Sequence, residues 1–155
     1  MAEAIAALSL AANIVQFIDF ASKVASSFWD FYRKSNTNQA IPNVSVINED
    51  LQAILVDLRV EHASLKPNDG LATLTKECQK TAKILETTIK PLLAAQSRNN
   101  GKRASLKAAF SSVWKESEIQ KMKEQVDEYR RQLVLHLLVS IRQATFLSKA
   151  TCAHY

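Results

Sequence analysis

The side chains capable of acid–base, nucleophilic or metal-binding chemistry are few in this chain and lie far apart along it. The three histidines, His62, His136 and His154, fall on different segments, and Cys78 and Cys152 form neither a CxxC pair nor a cluster with histidine. Nucleotide-binding and zinc-protease motifs are missing, and two glycines are too few for a phosphate-cradling loop. The carboxylates alternate with basic residues, as in KESEIQKMKEQVDEYRR, which is typical of a solvated helix surface. We therefore expect a protein that is not an enzyme and that uses no cofactor or metal.

Length and composition indicate one small domain. The 155 residues suffice for a single hydrophobic core, so residues 1–155 are predicted to form one domain. Two unpaired cysteines suit a reducing cytosol, and Glu3 stands where a signal peptide carries basic residues. The net charge of +5 is a mild basic excess, which most often reflects a solvated surface. We expect a protein that is cytoplasmic at rest.

The first segment of the chain, residues 4–34, contains neither glycine nor proline and repeats its apolar residues with the helical period. Polar residues such as Asp19, Lys23 and Asp30 occupy the opposite side, so the segment is predicted to be an amphipathic helix. Such a helix forms one wall of a soluble bundle, or leaves the bundle for a membrane. Its apolar face consists of Leu10, Ile14, Phe17, Ile18, Val24, Phe28 and Trp29.

Three further long helices and one short helix are predicted from the same kind of periodicity. No segment alternates with period two, so the predicted fold class is all-α: an up-down bundle of four long helices plus one short helix. Pro91 predicts a kink or an early end of the third helix. Ser117 and Gln120 predict a capping box at the start of the last helix. The predicted helical ranges are 3–34, 44–65, 71–96, 104–113 and 117–148.

The last helix contains the most apolar run of the chain, LVLHLLVSI, from Leu133 to Ile141. A helix that is apolar on every side is usually surrounded by its neighbours. This run is therefore predicted to be the most buried part of the protein. The predicted core residues of this run and of the segment before it are Trp114, Leu133, His136, Leu137 and Ile141.

Basic residues cluster before the short helix and in its first turns, at Arg98, Lys102, Arg103 and Lys107. A solvated loop explains such a cluster, and so does a contact for anionic lipid headgroups or for the acidic surface of a partner. No specific nucleic acid is expected, because no aromatic residues alternate with these charges and no recognition motif accompanies them.

Three stretches of the chain resemble the N-terminal region of fungal STAND proteins of the NLR type. They are the opening MAEAIAALSLAANIVQFIDFASKV, the middle EDLQAILVDL with LTKECQKTAKIL, and the closing RASLKAAFSSVWKESEIQKMKEQVDEYRRQLVLHLLVSIR. The closing stretch is similar to the segment just before the NACHT nucleotide-binding module of those proteins. The likeness covers about residues 1–145. It departs at Lys115, where relatives often carry a cap-forming residue. The chain is thus similar to the HeLo-like group.

The resemblance implies a helical-bundle effector domain that induces programmed cell death in heterokaryon incompatibility and innate immunity. It implies that copies of the domain oligomerise under a NACHT or sensor module and then reach the anionic lipid of the plasma membrane. The first helix would enter that membrane with Ile5, Leu8, Leu10, Ile14, Phe17 and Ile18. Ile5, Leu8 and Phe20 are expected to be the most accessible of its apolar residues at rest. The alternative is an adaptor domain that docks another helical domain and signals without touching lipid.

Overall fold

The fold consists of five helices, seen in a computed structural model that describes residues 2–33, 42–62, 70–98 and 103–152. No strand occurs among these residues, so the predicted all-α class is confirmed. The predicted bounds agree with the structure to within four residues wherever it describes them. Lys34 and residues 63–65, also predicted to be helical, lie outside the described residues. The helices are α1 (Ala2–Arg33), α2 (Val44–His62), α3 (Gly70–Arg98), α4 (Arg103–Val113) and α5 (Glu116–Cys152).

Local hydrogen bonds fix the starts of α2 and α5. Asn43 caps α2, because its Oδ1 accepts the Val46 N–H at 3.3 Å and its carbonyl accepts the Ile47 N–H at 3.1 Å. At α5 the capping position is Lys115, whose N–H donates to the Glu118 carboxylate at 3.2 Å. The Lys115 carbonyl in turn accepts the Glu118 N–H at 3.0 Å.

The capping box predicted at Ser117 and Gln120 is therefore wrong. The helix α5 begins at Glu116, so Ser117 already lies inside its first turn. Lysine has no side-chain acceptor, and the carboxylate of Glu118 instead satisfies the backbone N–H of Lys115. That carboxylate also places negative charge at the positive end of the helix dipole, which stabilises the start of α5.

Pro91 does not end α3, which continues to Arg98, so the predicted early end is wrong. Proline removes a backbone donor and costs about 3 kcal/mol in a helix interior. Pro91 is exposed, whereas Ile89 and Leu92 beside it are buried in the core. Burial of these two side chains, at about 1.5–3 kcal/mol each, offsets that cost.

The core contains residues of all five helices and is closed at one end by aromatic rings. The ring centroid of Phe28 lies 5.0 Å from that of Phe110 and 5.1 Å from that of Trp114, and Phe31 lies 5.7 Å from Phe110. These are edge-to-face contacts, which aromatic pairs favour. We call Phe28, Phe31, Phe110 and Trp114 the aromatic end. The short helix α4 is anchored there by Phe110 and Leu106, both of which are buried.

The second half of α5 differs from the predicted core. Trp114 and Leu133 are buried, but His136 and Leu137 are only half-buried and Ile141 is 62% exposed. The prediction of Ile141 as a core residue is therefore wrong, as is the prediction that 133–141 is the most buried part of the chain. An all-round apolar run is buried only where neighbours cover every side. The helices that pack extensively on α5 are α1 and α3, and they leave its outer side open.

Candidate functional site

The six α1 residues predicted to enter a membrane fall into two groups. Ile5 and Leu8 are 65% and 67% exposed. Phe20, which was expected to be equally accessible, is half-buried. The other four, Leu10, Ile14, Phe17 and Ile18, are buried in the core. Of these six side chains, only the two nearest the start of α1 are therefore exposed to solvent.

The first half of α1 carries a single charged residue, Glu3, and is partly exposed. No charged residue lies between Ala4 and Ile18, and Val15 adds an exposed apolar side chain to this half. Ile5–Arg33 is long and apolar enough to cross a membrane by length and composition alone: hydropathy averages 1.5 over an 18-residue window. Only 33% of that window is buried, so α1 is not enclosed as a central core helix would be.

A second exposed apolar surface lies on α5. Arg131, Arg142 and Lys149 recur there at intervals close to whole helical turns and so lie along one side of the helix. No acidic residue follows Glu128 in the chain. Arg131 pairs with Glu128 at 3.2 Å, whereas Arg142 and Lys149 form no ion pair with a described residue. We call this surface the α5 outer face; its apolar residues are Val134, Leu135, Leu138, Val139, Ile141 and Phe146.

A groove lined by apolar and acidic side chains lies between α1 and α2. It consists of two adjoining cavities of about 420 and 350 Å³, which share Phe20, Lys23 and Asp50. Asp19, Asp50 and Asp57 line it, with Lys23 as the basic residue among them, so carboxylates predominate. We call it the α1/α2 groove; the larger apolar side chains that line it are Val15, Phe20, Val24, Val46, Ile47 and Ile54.

The start of α1 and the end of α5 lie at the same end of the molecule. Arg130 Nη2 donates to Ser22 Oγ at 3.2 Å, and Lys123 Nζ lies 4.8 Å from the centroid of the Trp29 ring. The later residue of α5, Arg130, contacts the earlier residue of α1, Ser22, so these two helices are antiparallel. We call Leu8 and Ile5, together with the α5 outer face, the aliphatic end.

The basic cluster predicted as an anion contact is only partly free to serve that role. Arg98 is exposed at the last position of α3, and Lys107 is half-buried on α4. The guanidinium of Arg103 lies 5.8 Å from the centroid of the Phe31 ring, a cation–π contact with the aromatic end. Lys102 lies outside the described residues. Arg103 therefore already serves a structural contact.

Two buried titratable side chains lie where α3 meets α5. The hydroxyl of Tyr129 hydrogen-bonds to Thr81 Oγ1 at 2.7 Å, donates to the Glu77 carbonyl at 3.2 Å and accepts from Gln125 Nε2 at 2.8 Å. Burial raises the pKa of Tyr129. Burial, and to a smaller extent the Glu77 carboxylate, raises the pKa of the Cys78 thiol to about 12. Cys78 therefore stays protonated at neutral pH, which makes it a poor nucleophile.

The histidines do not assemble a metal site in the part of the chain that the structure describes, where no three His, Cys, Asp or Glu side chains lie together as ligands. His136 instead packs its ring against the backbone of Gly70 at the start of α3. A Cβ atom at position 70 would collide with that ring. The pair thus forms a close contact between α3 and α5, and any larger residue at position 70 would force the His136 ring to shift.

Sequence reasoning missed both the α5 outer face and the α1/α2 groove. For the face, a signal existed: the lack of acid after Glu128 combined with the spacing of Arg131, Arg142 and Lys149. For the groove, none existed, because it depends on how two helices are rotated against each other. The periodicity of either helix alone does not specify that rotation.

Comparisons with known protein families, with characterised proteins and with solved structures found no match to this chain. Its function is therefore inferred from its own residues and their arrangement, together with the resemblance described above.

Proposed function

We propose that this chain is a non-enzymatic effector domain that acts on membranes through α1, as the resemblance to HeLo-like domains of fungal NLR-like proteins implies. It is cytoplasmic at rest and oligomerises with other copies under a NACHT or sensor module. It then moves to anionic lipid of the plasma membrane and induces cell death or incompatibility. One observation carries the proposal: an N-terminal helix with the length and composition of a membrane span already exposes its first apolar residues.

The proposed resting state is an up-down bundle of the four long helices, with α4 as the short fifth helix. Contacts between the helices support this arrangement, because residue numbers rise along one helix as they fall along its neighbour. The supporting pairs are Gln52 with Glu86, Leu58 with Gln79, Thr81 with Tyr129, Gly70 with His136, Ser22 with Arg130 and Trp29 with Lys123.

Release of α1 from such a bundle has a large free-energy cost. Each large apolar side chain that leaves the core for water costs about 1.5–3 kcal/mol. Lipid contact and contacts between copies must offset this cost. Ile5 and Leu8 are exposed at rest, so they can meet a membrane before any core contact breaks. The side chains that would leave the core are Leu10, Ile14, Phe17, Ile18 and Phe28.

The test pairs a melting curve with dye leakage from vesicles of phosphatidylcholine and phosphatidylserine. Leu8→Glu places a carboxylate on the exposed part of α1, where it meets solvent at rest and lipid after insertion. We expect the melting temperature to stay within a few degrees of the parent value, because an exposed substitution changes stability by at most about 0.5 kcal/mol. We expect leakage to be abolished, because a charge at membrane depth costs at least about 2.5 kcal/mol.

Val56→Glu is the matched control, since Val56 of α2 is 58% exposed and the chemical change is similar. This variant should cause as much dye leakage from the vesicles as the parent protein does. A folded Leu8→Glu protein that permeabilises vesicles as well as the parent contradicts insertion of α1. Adaptor function without membrane activity would then be the better proposal, and the observation in its favour is the exposed apolar α5 outer face.

A further inference from the structure

Two surfaces of this chain, the α5 outer face and the α1/α2 groove, are complementary to each other. We propose that the α5 outer face of one molecule docks in the α1/α2 groove of a second copy, so that copies join head to tail. This contact would hold together the oligomer on which the proposed function depends. It also stands apart from membrane insertion, because the contact forms between protein surfaces in the absence of lipid.

The charges of the two surfaces have opposite sign. Arg142 and Lys149 on the outer face form no ion pair with a described residue. The same holds for Asp19, Asp50 and Asp57 around the groove. Each set is flanked by exposed or half-exposed apolar side chains. Docking would bury apolar surface on both sides and pair the free charges, the arrangement that stabilises helix-in-groove recognition.

The dimensions of the two surfaces also agree. The outer face extends from Val134 to Lys149, which at 1.5 Å per residue is about 22 Å of helix. The groove extends from Ala12 to Ser27 on α1, about 22 Å, and from Pro42, just before α2, to Asp57 on α2. One helical segment therefore spans the whole groove.

The occupant of the groove has to come from another molecule. In one chain, α5 packs on the side of α1 that carries Ser22 and Trp29, through Arg130 and Lys123. The groove lies along a different side of α1, where the helix meets α2. A chain cannot place its own α5 in its own groove without breaking these contacts between α1 and α5.

Pairing of two outer faces is the weaker alternative. Such a contact would bring Arg131, Arg142 and Lys149 of one copy against the same residues of the other. No acidic residue after Glu128 would balance them, and like charges across an interface are unfavourable. The face and the groove are different surfaces, so the favoured contact is heterologous and can continue into a ring or a filament.

Two variants test the contact by blocking one surface each. Leu138→Glu puts a carboxylate in the outer face, where Leu138 is 58% exposed, and this carboxylate would meet the acidic groove. Ala53→Arg puts a long cationic side chain in the groove, where Ala53 is exposed. Val56→Glu, outside both surfaces, is the control. Sedimentation in lipid-free buffer measures the assembly, and circular dichroism checks that each variant is folded.

We expect the parent and Val56→Glu to associate beyond dimers as concentration rises towards about 1 mM. Each blocked variant alone should raise the dissociation constant by about tenfold or more. A mixture of the two blocked variants retains one intact face and one intact groove, so it should form a one-to-one dimer. High salt should weaken the parent assembly, because it screens the charge pairs.

Three results would overturn the proposal. The first is a parent protein that stays monomeric up to about 1 mM. The second is association lost in Leu138→Glu but intact in Ala53→Arg, which would indicate pairing of two outer faces. The third is a mixture of the blocked variants that remains monomeric. Vesicle leakage plays no part in these measurements, so failure of the membrane proposal would be seen separately.

Discussion

The aromatic end and the aliphatic end of this molecule share the helix α1 but are packed in opposite ways. At the aromatic end, Phe28 and Phe110 are 1% and 2% exposed and their rings interlock. At the aliphatic end, Leu8 and Leu138 are 67% and 58% exposed. The difference is not one of hydrophobicity, since both ends are rich in apolar residues.

The number of neighbours makes the difference. The short helix α4 and the turn after it bring Phe110 and Trp114 over the end of α1 and close the core there. Past Leu133, α5 has α1 and α3 on one side and solvent on the other. One end is thus stabilised by packing, and the other keeps apolar side chains exposed to solvent.

Loss of a ring at the aromatic end should have the largest effect on stability. Phe28→Ala removes a 1% exposed side chain that contacts both Phe110 and Trp114. We expect the free energy of unfolding to fall by about 3–5 kcal/mol. Denaturant unfolding followed by circular dichroism measures it. A loss below about 1 kcal/mol would show that this end is not a closed part of the core.

Burial of Cys78 in the middle of the bundle should make the free energy of unfolding depend on pH. In the native protein the pKa of the Cys78 thiol is raised to about 12, whereas in the unfolded chain it has its ordinary value of 9.0. Between these two pH values the native thiol keeps its proton and the unfolded thiol loses it. The unfolded state then binds fewer protons, so stability falls as pH rises from about 9 to 12, by up to about 1.4 kcal/mol per pH unit. Cys78→Ala should show a shallower slope above pH 9. Parallel profiles would contradict burial of this thiol.

A smaller loss is expected from the hydrogen bonds of Tyr129. Tyr129→Phe leaves the buried Thr81 hydroxyl and the Glu77 carbonyl without this partner. We expect a loss of about 1–2 kcal/mol. Thr81→Val combined with Tyr129→Phe should cost less than the sum of the two single changes, because the double variant removes both hydroxyls of the pair and leaves neither of them without the other. Strict additivity would show that the two hydroxyls do not interact.

The aliphatic end should give the smallest effect. Leu138→Ala truncates a side chain that is 58% exposed, so the free energy of unfolding should change by less than about 0.5 kcal/mol. Leu133→Ala, five residues earlier on α5 and 4% exposed, is the matched comparison and should cost about 2–5 kcal/mol. Equal decreases in the free energy of unfolding for the two variants would contradict the difference in burial between the two halves of α5.

Much of the helical structure was predictable, because a periodic apolar face identifies a helix whatever it packs against. The ranges of α1 and α4 and the start of α2 follow from this periodicity and from their flanking residues. The same reasoning misjudged Ile141, since an all-round apolar run shows that a helix tolerates burial and not that neighbours provide it. The exposure of Leu8 was predictable from its place near the polar border of α1.

The continuity of α1 has a mechanical consequence. From Ala2 to Arg33 it contains neither glycine nor proline, residues at which helices usually bend. At 1.5 Å per residue it is a continuous helix of about 48 Å that contains neither of these hinge-forming residues. One part of this helix is clamped by Phe110 against Phe28, and Leu8 lies about 30 Å further along. Leu10, Ile14 and Phe17 are buried between these two points, so the exposed tip and the aromatic end belong to one unbroken helix that the core holds along its length.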